Sequence, residues 1–356
     1  MKPNEHFQTL DALRGVAAIG VVTYHESGGC FPSGWLAVDL FFMLSGFVIA
    51  FAYEEKLLAD LSFGDFIVRR CIRLYPIVLA GTLLGLISVI LKLAHGSAPM
   101  PWRELISAFW KSLILLPQTK VSVLGNETFP LNTVIWSLYF ELLANFFYGV
   151  IAFRFRTPIL SAIVIGSLVG IVLFGEVGGN QTQNFLAGFP RVGFGFFAGV
   201  VLFRLHKAGR LPPISAAPVR LAMALAAIFS IPLSFSGLTL IPAGTAFALI
   251  IIAAAHSENG KVDVPVQRWL GAISYPLYAL HRPLFAMSVG LYFLLPIQTP
   301  LTHISFFLVL AAVNVVISGL AFRLYDVPFR RALTRMSIRI AAASKAAGRT
   351  GVALRQ

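Results

Sequence analysis

Charged residues are scarce in this sequence. Only 12% of its 356 residues are Asp, Glu, Lys or Arg, whereas 57% are hydrophobic. Soluble domains carry roughly 25% charged residues, which help to cover their water-facing surface. A soluble protein is therefore excluded, and the apolar runs of about 18–22 residues are long enough to cross a hydrocarbon core about 30 Å thick. The sequence predicts an all-α, polytopic transmembrane helical bundle.

Cysteine and acidic residues are also few. Cys30 and Cys71 are the two cysteines, and the predicted topology places them near opposite membrane faces, so no disulfide is expected between them. The 28 Lys and Arg outnumber the 15 Asp and Glu, which gives a net charge of +13. The basic residues lie mainly between apolar runs, as membrane orientation requires, so we expect no nucleic-acid partner. No clustered ligand set is present, so no metal site is predicted.

Hydropathy predicts about ten spans. The segment 103–117 is apolar but short and charged, so it is expected to be interfacial or re-entrant. With ten spans and a cytoplasmic N-terminus, 21 Lys and Arg lie on the cytoplasmic side and four on the outer side, which predicts that both termini are cytoplasmic. The predicted spans lie near 11–28, 35–53, 74–93, 133–153, 158–175, 188–205, 217–235, 238–256, 275–295 and 302–323.

The predicted spans end shortly before a run of basic residues. We therefore divide the chain into a transmembrane domain, 1-329, and a basic cytoplasmic tail, 330-356. Clustered Lys and Arg beside a membrane bind anionic headgroups, so the tail is expected to contact membrane lipid.

Ionisable groups inside spans are candidates for chemistry, because burying charge in lipid is costly. Arg14 and His25 are eleven residues apart, so they point from one face of the first span, about 16 Å apart along its axis. Asp39 enters the second span at a comparable depth, where it would fix the His25 tautomer. The alternatives are a snorkelling arginine with a hydrogen-bonded core histidine, and a helix-start carboxylate stabilised by the helix dipole.

A pair of arginines precedes the third span. Arg70 and Arg73 are i, i+3 neighbours on one helix face, and paired guanidiniums suit phosphate groups. The alternative is that both only anchor the cytoplasmic end of the span.

Two later spans also carry polar groups. Glu141 lies deep in the fourth span, where a carboxylate has to be paired or protonated. The alternative to a catalytic role is a structural ion pair with Arg191 or Arg282. Tyr278 and His281 belong to a polar stripe in the ninth span. His281 is alternatively a hydrogen-bonded core residue.

These motifs together resemble the membrane acyltransferase 3 family of polytopic bacterial O-acyltransferases. They occur in the family's order and span most of the chain, with Ala37 where the family often has glycine. The matching segments are 10–15 (LDALRG) with the Arg14-to-His25 spacing, 34–47 (GWLAVDLFFMLSGF), 70–76 (RCIRLYP), 136–141 (WSLYFE) and 274–281 (SYPLYALH).

The resemblance implies a multi-pass enzyme of the bacterial inner membrane. It would transfer an acyl group, usually acetyl, from cytoplasmic acyl-CoA to a hydroxyl of a surface polysaccharide, a lipid-linked glycan or a related acceptor. Its implied residues are His25 as general base with Asp39 and Glu141 as catalytic partners, Arg14, Arg70 and Arg73 for the donor, and Trp136, Ser137, Tyr278 and His281 for the substrate.

Two other classes remain as alternatives. A transporter or flippase of lipid-linked sugars would also place charges at mid-membrane, although transporters are often built from internal repeats that this sequence lacks. A non-catalytic membrane assembly or sensor protein is the second. The sequence leaves the acceptor, the acyl-chain length and the oligomeric state open.

Overall fold

The computed structural model describes residues 7–26, 29–94, 101–257, 264–292 and 299–353. Within these ranges the chain is helical and holds no extended strand. The α-helices are α1 Gln8–Glu26, α2 Ala37–Ala59, α3 Phe63–Ala94, α4 Trp102–Leu113, α5 Ile135–Val150, α6 Thr157–Phe174, α7 Gly188–Lys207, α8 Pro218–Ser230, α9 Leu240–Ser257, α10 Pro265–Tyr292, α11 Pro300–Ala321 and α12 Val327–Ala353.

Six helical segments of the described chain are long and apolar enough to cross a membrane. They are Gly34–Ala59, Phe63–Ala94, Thr157–Phe174, Phe185–Lys207, Gly237–Ser257 and Ile304–Ile340. The four other predicted spans are also helical, as α1, α5, α8 and α10. The helices α5 and α8 have only 16 and 13 residues, while α1 and α10 carry charged residues that lower their hydropathy. The protein is thus an all-helical, multi-pass membrane protein.

The short helix α4 agrees with the expectation for segment 103–117. Its 12 residues are too few to cross the hydrocarbon core. Trp102, Ile106 and Trp110, four residues apart, form an exposed apolar face, whereas Leu105 and Ala108 on the other face are buried. An exposed face with two tryptophans is typical of a helix at the membrane interface.

Glycines bring the central helices close together. Helix α1 packs along α10, and α2 packs along α7. A Cβ added at Gly46 of α2 would overlap the carbonyl oxygen of Phe196 on α7, and one at Gly199 would overlap that of Met43. Small residues at such crossings let helix backbones approach, which is how helices in lipid gain packing energy. In contrast, Ile165, Val169 and Leu173 on α6 are exposed, which suits a lipid-facing helix.

Proline positions the polar part of α10. Pro283 has no N–H, so it cannot bond the carbonyl four residues earlier, that of Ala279. Asn132, just before α5, donates to that carbonyl from Nδ2 at 2.8 Å. The bond satisfies the freed carbonyl and fixes the start of α5 against the bend in α10.

The last two helices are joined without a break. A π-helical turn, Phe322–Asp326, connects α11 to α12. The predicted division between 1-329 and 330-356 falls inside α12, and it stays a prediction.

Candidate active site

Two adjoining cavities lie among the central helices. The inner cavity is narrow, with a volume of about 40 Å3, and is lined by α1, α2, α5 and α10. The second, of about 480 Å3, is lined by the same helices together with α3 and α12, and we call it the arginine cavity. Arg14, Ser45, Glu141 and Tyr275 line both of them. The two cavities are therefore neighbours that share part of their walls.

The arginine cavity is strongly basic. Arg14, Arg70 and Arg73, predicted to bind the donor, all line it. Arg70 Nη2 lies 3.0 Å from Glu141 Oε1, and Arg14 Nη1 lies 3.4 Å from Asp11 Oδ1. Arg73 forms no ion pair with a carboxylate of the described chain, and its guanidinium carbon lies 5.9 Å from the ring centroid of Tyr275. These three guanidiniums make the cavity suitable for an anion.

Glu141 lies where the two cavities meet. Its Oε1 accepts hydrogen bonds from Ser45 Oγ at 2.7 Å and from Arg70 Nη2 at 3.0 Å. The alternative of a pair with Arg191 or Arg282 is therefore wrong. The partner of Glu141 is an arginine of the predicted donor motif, because α5 packs against α3 at this level.

Two paired hydroxyl groups belong to the wall of the inner cavity. Ser137 Oγ and Tyr278 Oη are 2.6 Å apart and buried, and both line the cavity. Beyond them, the Tyr278 ring centroid lies 6.1 Å from that of His281. The predicted substrate residues Ser137, Tyr278 and His281 therefore lie next to one another.

His281 is stacked on His25. Their ring centroids are 5.3 Å apart, with an angle of 24° between the planes. His281 Nδ1 lies 2.7 Å from the carbonyl oxygen of Tyr278, and because a carbonyl only accepts, Nδ1 carries the hydrogen. His281 Nε2 is then an acceptor, and this buried atom has no hydrogen-bond partner among the described residues. His25 is half-buried, whereas His281 is fully buried.

Asp39 does not lie against His25, so the contact predicted between them is wrong. Its Oδ1 and Oδ2 accept from Arg191 Nε and Nη2, each at 2.8 Å, and both residues are buried. The rings beside His25 in the described chain are Tyr24 and His281. Asp39 is on α2 and Arg191 on α7, so their ion pair joins the two helices that approach through Gly46.

Trp136 belongs to the Asp39–Arg191 pair and not to a cavity wall. The Arg191 guanidinium carbon lies 5.1 Å from its ring centroid, within cation–π range. Trp136 lines neither cavity. Its predicted contact with substrate stays a prediction, and the contact that the structure shows is the one with Arg191.

A polar cluster near the C-terminal end of α1 was not predicted as a site from the sequence. Asn314 Nδ2 donates to Glu26 Oε1 at 2.9 Å, and Arg282 Nε lies 3.4 Å from Thr133 Oγ1. Arg282 interacts electrostatically with Glu26 and with Glu127. Glu127 lies in the loop before α5, where burial raises the pKa of its carboxyl while Arg282 opposes the rise. Glu26 and Arg282 were visible as ionisable residues in spans, but no pattern marks Asn314 or Thr133.

The chain belongs to the acyltransferase 3 family, because the family's acyltransferase-domain model matches residues 7–323. It is 38% identical over 159 residues to "Protein 2 in picA locus" of Rhizobium radiobacter, covering 41% of this chain and 83% of that protein. It is 28% identical over 279 residues to the exopolysaccharide production protein ExoZ of Rhizobium meliloti, covering 74% and 80%.

A longer relative matches almost all of this chain. The peptidoglycan O-acetyltransferase OatA of Listeria monocytogenes is 26% identical over 363 residues, which cover 92% of this chain and 54% of OatA. The chain thus spans about half the length of that relative. No solved structure matches the chain. Its family and these relatives identify the protein as a membrane O-acyltransferase, which disfavours the transporter alternative.

Proposed function

We propose that this protein transfers an acetyl group from cytoplasmic acetyl-CoA to a hydroxyl of a surface polysaccharide or a lipid-linked glycan in the bacterial inner membrane. The observation that carries the proposal is the pair of adjoining cavities, which lie between the arginines and Tyr278, together with the stacked histidines that neighbour the Tyr278 ring. The names of ExoZ and OatA, which refer to exopolysaccharide production and peptidoglycan O-acetylation, support a glycan acceptor.

The donor would lie with its phosphates in the arginine cavity. Arg70 and Arg73 are on α3, and a guanidinium can bind a phosphate through two parallel hydrogen bonds. The pantetheine arm would then pass Arg14 and Glu141 into the inner cavity. The helix rise puts Arg14 and His25 about 16 Å apart, within reach of an arm of roughly 15–20 Å.

His25 would act as the general base. As the acceptor oxygen attacks the thioester carbon, neutral His25 takes the hydroxyl proton. The carbon–sulfur bond then breaks, and the CoA thiolate leaves with that proton from the imidazolium. His281 would hold the His25 ring by stacking, and the role of Asp39 would be to hold α2 to α7 through Arg191. Because the base must be neutral, transfer should slow as the pH falls and His25 becomes charged.

The acceptor would approach from the outer face. His25 is half-buried near the end of α1, and Glu26 follows it in the chain. Glu26 and Glu127 both interact electrostatically with Arg282. Carboxylates and a guanidinium are suitable partners for sugar hydroxyls. This arrangement assumes ten spans with both termini cytoplasmic, which the distribution of basic residues favours.

Label transfer in membranes tests the function. Membranes from cells that produce the protein would be incubated with [1-14C]acetyl-CoA, and the polysaccharide fraction would be assayed for label released by mild base, as an O-ester requires. Membranes from cells lacking the protein are the control. Equal base-labile label in both preparations would refute the proposal.

A further inference from the structure

The first turns of α12 form one wall of the arginine cavity. Arg330 and Thr334 line it together with Arg70 and Arg73 of α3, and α12 packs against α3. The family match ends at residue 323, so this wall lies outside the region that the family model describes. The π-helical turn Phe322–Asp326 leads directly into it, and such turns occur frequently at functional sites.

Arg330 is held in place by its own helix. Its Nη2 lies 2.6 Å from Oδ2 of Asp326, one helical turn earlier, and Asp326 is fully buried. The Nε of Arg330 is buried and meets no hydrogen-bond acceptor among the described residues. Thr334 donates its hydroxyl hydrogen to the carbonyl oxygen of Arg330 at 2.8 Å, so Arg330 is the residue of this wall that is able to bind an anion.

The lining of the arginine cavity carries more positive than negative charge. Five arginines line it, together with only two carboxylates, Asp11 and Glu141. Arg73 is repelled by Arg330, Arg14 and Arg70 and attracted by Asp326, and the repulsion among these like charges opposes their clustering. A phosphate bound among them would remove this repulsion and would accept from the unpaired Nε of Arg330.

We propose that Arg330 is a phosphate-binding residue of the donor site, so that the C-terminal helix completes this site opposite Arg70 and Arg73. This inference rests on the proposed acyl-CoA donor, whose nucleotide carries a diphosphate and a ribose phosphate. An anionic lipid headgroup offers the same chemistry. Arg330 and Arg331 both line a surface groove of α12, but only Arg330, 19% exposed, also lines the arginine cavity with Arg70 and Arg73, and we assign the phosphate to the donor on that ground.

The test compares two donors in the full-length protein reconstituted in neutral-lipid nanodiscs. Arg330→Ala should raise the apparent KM for acetyl-CoA about tenfold or more, because a charge-assisted contact to phosphate is lost. The same variant should use S-acetyl pantetheine, which has no phosphate, as well as the wild type does. Arg331→Ala, the same charge change one residue along the helix, is the matched control and should leave both KM values unchanged.

A purely structural role of Arg330 would impair use of both donors equally, and that result would overturn the inference. An effect seen only in nanodiscs with anionic lipid, and shared by Arg331→Ala, would overturn it in favour of a headgroup. If Arg330→Ala fails to fold, Arg330→Lys keeps the charge but loses the planar fork, and an unchanged KM for acetyl-CoA would then count against the inference. Wild-type protein that uses neither donor would refute the proposed function itself.

Discussion

The buried pair between Asp39 and Arg191 offers a sharp test, because the sequence and the structure give Asp39 different partners. Replacing Asp39 by Ala removes both 2.8 Å bonds and leaves the Arg191 guanidinium, 4% exposed, without its carboxylate. Breaking a buried ion pair from one side costs about 3–5 kcal/mol, because the remaining charge stays desolvated. We therefore expect Asp39→Ala to be destabilised by this amount.

The assay is thermal unfolding of the purified protein in detergent, with acetyl transfer measured per folded molecule. Glu55→Gln is the matched control on the same helix, since it breaks the exposed Lys207–Glu55 pair at 2.8 Å. Exposed pairs contribute little to stability because water screens both charges, so the control should unfold close to the wild-type temperature. The double change of Asp39→Leu with Arg191→Met removes both charges and should recover much of the stability.

Two other outcomes would contradict this reasoning. If Asp39→Ala unfolds at the wild-type temperature but loses acetyl transfer, Asp39 acts on His25 and the ion pair contributes little. If the double variant is less stable than Asp39→Ala, unpaired charge is not the reason for the destabilisation.

Three further predictions concern the donor site, the helix packing and the topology. Arg73→Ala should raise the apparent KM for acetyl-CoA roughly 10- to 150-fold, and Arg73→Lys should restore it only in part. An unchanged donor affinity in folded Arg73→Ala would show that Arg73 only anchors the end of its span. Gly46→Ala forces a methyl group against the Phe196 carbonyl and should lower the free energy of unfolding by about 1–3 kcal/mol. Gly166 has open space around it, so Gly166→Ala should not destabilise the protein. Equal melting temperatures of the two variants would contradict the close crossing of α2 and α7. Cysteine reporters at Gly125 and Arg154 should be labelled from opposite faces of the membrane, and labelling from one face would refute the ten-span topology.

Much of the helical framework was predictable because apolar length is a strong local signal. Every predicted span overlaps a helix of the described chain, and the short charged segment 103–117 contains most of the 12-residue helix α4, whose interfacial position stays a prediction. Spacing along one helix was equally informative, since Arg70 and Arg73 line one cavity, as their i, i+3 separation suggested. These features depend on helix geometry alone, which does not require knowledge of the neighbouring helices.

Side-chain partners were not predictable, because they depend on which helices are neighbours. Asp39 was assigned to His25 from depth alone, but α2 packs along α7, and the carboxylate therefore meets Arg191. The stacking of His25 on His281 required the packing of α1 along α10, which no spacing within either segment reveals. Arg330 was interpreted as part of a surface tail because it begins a run of basic residues. The charges of that run do not reveal that α11 continues into α12.

Acetyl transfer by purified His25→Ala that still binds acetyl-CoA tests the central claim most directly. His25 lies at the end of its helix and is half-buried, so its truncation should leave the bundle folded and the arginine cavity intact. Loss of a general base typically lowers turnover by about 10²–10⁴-fold. We predict a loss of at least that size, with donor affinity within a few-fold of the wild type. Near-normal transfer of label to the polysaccharide by this variant would show that His25 is structural and would contradict the mechanism.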